Sequence, residues 1–167
     1  TVEGESKQLK VDWPGFHDGK GISAEIDLVK KASDESMNIV IPIGKKRFYY
    51  NAKINCMPAE GWVRYGGQEY PLTPETSLGQ LDWGRGVWAY SSFWLWASAS
   101  GFLPDGRTLG LNMGYGFGDT SAASENAFIL DGKAHKLGTL KFEYDGERFM
   151  KPWRMKDEDG RLDLTFP

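Results

Sequence analysis

A single cysteine, Cys56, occurs in the 167 residues. It can form no disulfide within the chain, which favours a reducing, cytoplasmic compartment. No run of 18 apolar residues occurs, so no segment reads as a membrane span. The opening residues do not read as a charged-apolar-small leader. Basic residues do not cluster. The longest run is Lys45-Lys46-Arg47, and 20 Lys and Arg stand against 23 Asp and Glu, a net charge of −3. That balance argues against a nucleic-acid partner. The two histidines, His17 and His135, lie far apart, and Cys56 has no neighbouring ligand. No metal and no other cofactor is therefore expected. A Gly-x-Ser-x-Gly elbow and a P-loop Gly-Lys-Ser/Thr are missing, which excludes those motif-borne chemistries. Asn-x-Ser/Thr sequons, internal repeats, linkers and low-complexity tracts are missing too. So is any long pattern of period 3.6.

What remains is rich in glycine (21 residues) and in aromatics (14%), a mixture that points to turn-rich β structure. The length suits one domain, residues 1–167, able to bury a core without disulfide or metal. Thr1 to Asp12 is polar, with Val2, Leu9 and Val11 as its aliphatic residues, and Trp13 to Gly19 reads as a turn. Ile22, Ala24, Ile26 and Leu28 alternate with Ser23, Glu25 and Asp27, as in a half-buried strand. Met37, Ile39, Ile41 and Ile43 mark the next strand, Arg47 to Met57 a third. Pro58 to Gly61 reads as a turn, and Gly66-Gly67 joins a hairpin. Thr76 or Ser77 is placed to cap a single helical turn. Glu125 to Asp131, His135 to Tyr144, Glu147 to Met155 and Arg161 to Phe166 read as strands joined by three Asp-Gly turns. The expected fold is all-β: an antiparallel meander forming a lipocalin-like barrel or partly open barrel, with little helix.

Residues 79–119 hold four of the seven tryptophans and nine of the glycines. Within them, Asp82-Trp83-Gly84-Arg85-Gly86-Val87-Trp88 admits two readings. Extended, Asp82 and Arg85 fall on opposite faces; in a tight turn they meet beneath the indoles. The pair is then either the charged mouth of an aromatic pocket or a structural ion pair fixing a glycine-rich turn. Trp94, Trp96 and Ser98 share one strand face, a stacking platform for rings or ordinary core. Gly110 to Asp119 is no dinucleotide loop, because Asp119 stands where the last glycine belongs. Asn112, Gly114, Gly116 and Gly118 fit instead a strand with a bare face, against which a ligand ring or the neighbouring tryptophans lie. Glu125 and Asn126 precede an apolar strand, either as ligand-binding groups or as a solvated loop. Acid–base candidates are Asp82, Asp119, Glu125 and His135.

Four runs in this order resemble one family: Leu-Asp-Trp-Gly-Arg-Gly-Val-Trp, Trp-Leu-Trp-Ala-Ser-Ala-Ser-Gly, Gly-Leu-Asn-Met-Gly-Tyr-Gly-Phe-Gly-Asp, and Ser-Glu-Asn-Ala-Phe-Ile-Leu-Asp-Gly-Lys-Ala-His-Lys-Leu. They resemble DUF2804, a bacterial family without an established reaction. That family is in turn distantly similar to the calycin-like double barrels of the hydroxyneurosporene-synthase/AttH group, some of which act on apolar isoprenoid or polycyclic substrates. The resemblance implies a piece of a longer two-barrel protein. The start at Thr1 and the stop just after Leu164-Thr165-Phe166 agree with that expectation. The last strand would then offer an open edge for self-association.

The site expected from the residues is one pocket formed by Asp82, Trp83, Arg85, Trp88, Trp94, Trp96, Asn112 and Glu125. Its expected ligand is a hydrophobic or ring-bearing small molecule. Two alternatives stand beside it: a hydratase- or isomerase-like enzyme on an apolar substrate, using an Asp or Glu, and a glycan-binding module with Trp platforms.

Overall fold

The computed structural model describes residues 5–167; Thr1 and Val2 lie outside them. The chain is all-β and antiparallel. Its first part runs β1 (Glu5–Trp13), a helical turn α1 (Phe16–Gly19), β2 (Ile22–Lys30), β3 (Met37–Ile43), β4 (Arg47–Tyr65), β5 (Gln68–Leu72) and β6 (Leu78–Gly86). Next come β7 (Leu95–Phe102), β8 (Thr108–Tyr115), β9 (Ala127–Leu130) and β10 (Lys133–Lys136). Last come β11 (Leu140–Glu143), β12 (Trp153–Asp157) and β13 (Asp163–Phe166).

These strands make three sheets. The first orders β1-β2-β4-β3, with β5 and β6 also on β4. The second orders β10-β9-β8-β7, the third β11-β12-β13. The all-β, antiparallel expectation holds, and among the described residues no sheet closes on itself into a barrel. Hairpin turns join β3 to β4, β4 to β5 and β9 to β10, but the meander expected from β2 to β3 does not form, because β4 pairs with both and lies between them. Closure depends on how far each sheet curls, which local signals do not encode.

β4 is the spine. Its first half pairs with β3 and β6, and its second half with β2 and β5. The register on β6 shifts between Ile54 and Met57, and Cys56 there has φ 58°. This bulge bends the strand and re-aims its side chains. The turn expected at Pro58 to Gly61 is therefore strand. Gly61 makes it so: a Cβ there would sit 2.1 Å from the Glu25 carbonyl oxygen, so only glycine lets β2 lie this close.

Glu5–Trp13, polar by composition, is paired throughout with β2. Two other expectations change. His135 to Tyr144 is not one strand; it breaks into β10 and β11, which belong to different sheets. Glu147 to Met155 is mostly connection, with strand beginning only at Trp153. Of the three Asp-Gly turns, Asp131-Gly132 joins β9 to β10 in register. β13 pairs with β12 on one side. The core lies between the second and third sheets, where Leu111, Met113, Leu137, Leu140 and Met155 are buried together. The opposite face of the second sheet lies against β4, and the candidate site opens between them.

Candidate functional site

In an antiparallel pair, residues directly opposite share a face. Register therefore sorts the site. Lys53 faces Asp82 and Asn51 faces Gly84 on the inner side of β4 and β6, while Ala52 faces Trp83 and Tyr50 faces Arg85 on the outer side. On the second sheet Trp96 faces Gly114 and Ser98 faces Asn112. The two inner faces meet around a cleft of about 360 Å³, within the range of small-molecule sites.

One wall is aromatic: Tyr49, Trp88, Trp94, Trp96 and Phe117. The rings touch in sequence. Tyr49 lies 5.6 Å from Trp88 and 4.7 Å edge-on from Phe117, and Phe117 lies 5.2 Å edge-on from Trp94. Edge-to-face contact holds such rings in fixed orientation. The tryptophans stay open to solvent, Trp96 at 40%, Trp88 at 44% and Trp94 at 51%.

The floor is charged. Lys53 Nζ lies 2.5 Å from Asp82 Oδ1 and 3.6 Å from Glu125 Oε2. The lysine side chain is 5% exposed, Glu125 8% and Asp82 41%. Nζ also lies 4.6 Å from the centre of the Trp96 ring, a cation–π contact. Behind this floor stands an amide layer. Asn51 Nδ2 donates to Glu125 Oε2 at 2.9 Å. Asn112 Nδ2 donates to the Glu125 backbone carbonyl at 2.9 Å, and the Trp96 indole N–H donates to Asn112 Oδ1 at 3.0 Å. Both amides are fully buried. A buried carboxylate is tolerated only when paired and hydrogen-bonded in this way.

Glycine makes the room. A Cβ on Gly114 would lie 2.4 Å from Glu125 Oε1, and one on Gly110 would lie 2.5 Å from Asn55 Cβ. The space above Gly114 and Gly110 on β8 is thus taken by Glu125 and by Asn55 of β4, while Trp96 of β7 bonds Asn112 on the same face. Gly116 and Gly118 lie beyond the strand and have positive φ. The field of the floor reaches Tyr49. Burial pushes its hydroxyl above the ordinary 10.0, and the charges of Asp82 and Glu125 push it the same way, against a hydrogen bond from Asn51.

Of the eight residues expected at the site, Asp82, Trp88, Trp94, Trp96 and Glu125 line the cleft, and Asn112 holds two of them from behind. Trp83 and Arg85 do not line it. β6 is extended, so Trp83 packs edge-on against Tyr50 at 5.8 Å on the outer face, and Arg85 cannot pair with Asp82. The carboxylate's partner is Lys53. Glu125 is buried rather than part of a solvated loop. Asp119 is exposed and accepts from the Ser121 backbone N–H, while His135 stacks on Phe128 at 4.7 Å. Neither joins the cleft. Sequence reasoning missed Tyr49, Asn51, Lys53 and Phe117. The first three left a signal: polar groups at every second position of a strand otherwise read from its aromatics and Ile54.

A second cleft of about 400 Å³ lies where the second and third sheets meet, along Phe93, Leu95, Tyr115, Phe142 and Tyr144. It has no buried charge: Lys141 and Glu158 at its rim are exposed. Among the described residues no three His, Cys, Asp or Glu gather as metal ligands, and no helix is long and apolar enough to cross a membrane.

A family model described as "Domain of unknown function (DUF2804)" matches residues 1–167. The chain belongs to this family. No curated protein and no solved structure matches it. The four runs that carry the resemblance include most of the cleft: Asp82 and Trp88, Trp94 and Trp96, Asn112 and Phe117, and Glu125. The lysine that pairs the two carboxylates lies outside all four runs.

Proposed function

We propose that the cleft binds a compact organic molecule, hydrophobic or ring-bearing where it lies on the aromatic wall and polar where it meets Asp82 and Glu125. One observation carries this reading: Glu125 and Lys53 are buried, bonded from behind, and placed under an open aromatic cleft. Charges held out of water weaken a fold unless well paired. A charged floor that faces a solvent-filled cleft is accounted for by a ligand's polar groups. Native mass spectrometry of the purified protein tests the reading. A bound mass present in the wild type and lost in Trp94→Ala supports it; a mass retained equally by Trp94→Ala and Glu125→Gln would sink it.

Two narrower readings each have an observation behind them. The half-exposed Trp88, Trp94 and Trp96 favour a sugar-like ring over a lipid, which would want a closed cavity. A carboxylate fixed by two amides favours acid–base catalysis by Glu125, of the hydratase or isomerase kind, on a bound substrate. Buried Cys56, with no disulfide partner, supports a cytoplasmic setting. The edge of β13, which pairs with β12 alone among the described residues, supports self-association, which light scattering over a range of concentrations tests.

A further inference from the structure

Two carboxylates, Asp82 and Glu125, stand at the floor of the cleft. Lys53 is the only cation among the described residues that line it. With all three ionised, one negative charge is left over. The lysine does not offer its own charge to a ligand. Its side chain is 5% exposed, and its ammonium is engaged by Asp82, Glu125 and the Trp96 ring together. Asp82 is the outward member of the floor. Its Oδ1 meets the lysine, while its Oδ2 makes no hydrogen bond among the described residues, and the side chain is 41% exposed.

The walls are aromatic. Trp88, Tyr49, Phe117 and Trp94 form a continuous chain of ring contacts around the cleft. Aromatic faces carry the negative part of the ring quadrupole. Burial chiefly raises the Tyr49 hydroxyl, and both carboxylates push it the same way. An anionic ligand would meet repulsion from the surplus carboxylate. A neutral one would leave the surplus charge unmatched.

We infer that the cleft selects an organic cation: an alkylated ammonium group, its methyl or methylene groups against the four rings and its charge toward Asp82. This rests on the binding reading above and adds to it the charge of the ligand. Aromatic surroundings suit such a group because it spreads its charge over a large apolar surface and is weakly hydrated. A primary ammonium, like that of Lys53, is better served by the carboxylates themselves.

Choline and 3,3-dimethylbutan-1-ol test this, since they share shape and differ in charge. Each is titrated into the full 167-residue chain by calorimetry, beside methyl β-D-glucopyranoside as a neutral ring. The expected result is choline binding about tenfold or more tighter than its neutral isostere. Asp82→Asn should remove most of that difference. Trp94→Leu, which leaves the charges alone, should weaken choline by a similar factor. Equal binding of choline and the isostere, or choline binding unchanged in both variants, overturns the inference. If the glucoside binds and choline does not, the charge assignment fails while the binding reading stands. If none of the three binds and native mass spectrometry finds no bound mass, both fail.

Discussion

Lys53 sits between two carboxylates with almost no access to water, and three neighbours depend on it. Removing it leaves Asp82 and Glu125 facing each other without a counter-charge. Breaking a buried pair from one side costs about 3–5 kcal/mol. Lys53→Met should therefore lower the unfolding free energy by an amount of that order, read as a fall in the urea midpoint at unchanged slope. Adding Glu125→Gln to it should restore part of the loss, because the amide needs no cation; a double variant no more stable than the single would show that Glu125 is not the residue left unpaired. Tyr49 gives a second outcome at this scale. Its folded pKa lies above the unfolded 10.0, so the folded state resists ionisation. Its contribution is intact below pH 10 and is lost as pH rises from there through the raised value. Urea midpoints measured across that window should fall more steeply for the wild type than for Tyr49→Phe. Little of this network was legible residue by residue. Glu125 drew attention by preceding an apolar strand, but Lys53 looks like any strand lysine until β6 brings Asp82 opposite it.

At the scale of the element, β4 decides the most. One long strand serves two sets of partners because the bulge at Cys56 turns it partway. Its inner face presents Tyr49, Asn51 and Lys53 to the cleft before the bulge, and it runs as the neighbour of β2 after it. Gly61 is the tightest point of that second half. Gly61→Ala would press a methyl group onto the Glu25 carbonyl, and the backbone there, at φ 135°, disfavours any side chain. A loss of about 1–3 kcal/mol is expected from overpacking. Hydrogen exchange should locate it in β2 and the second half of β4, with β7 and β8 unchanged; uniform loosening of all three sheets would contradict that placement. The same element explains the misplaced pair. Asp82-Trp83-Gly84-Arg85-Gly86 contains two glycines and admits a turn, but pairing with β4 holds it extended, so alternation sends Trp83 and Arg85 outward. Pairing with a distant strand overrides local turn preference, and local sequence carries no record of that partner.

At the scale of the whole molecule, ion pairs and backbone hydrogen bonds on the surface set the response to acid. Backbone N–H groups lower Glu35 and Asp145, through Ala134 and Glu147. Arg107 lowers Asp105, Ser121 lowers Asp119 and Arg154 lowers Asp163. A depressed carboxylate stabilises the fold above its unfolded value, 4.5 for Glu and 3.8 for Asp, and that contribution is lost as pH falls through the folded value. The urea midpoint should thus decline as pH drops below about 4.5. The decline should shrink at high salt for these exposed groups and soften in Arg154→Gln. A midpoint flat down to pH 2 would contradict it. The sequence by itself determined the β class, the hairpins β3–β4, β4–β5 and β9–β10 and the crowding of tryptophan and glycine between residues 79 and 119, because period-two alternation, short turns and composition act over a few residues. Tertiary structure alone decided that the sheets stay open, that Lys53 rather than Arg85 answers Asp82, and that Glu125 is buried beneath Trp96. Each of those depends on which distant strand lies opposite, and on how far a sheet has twisted when it gets there.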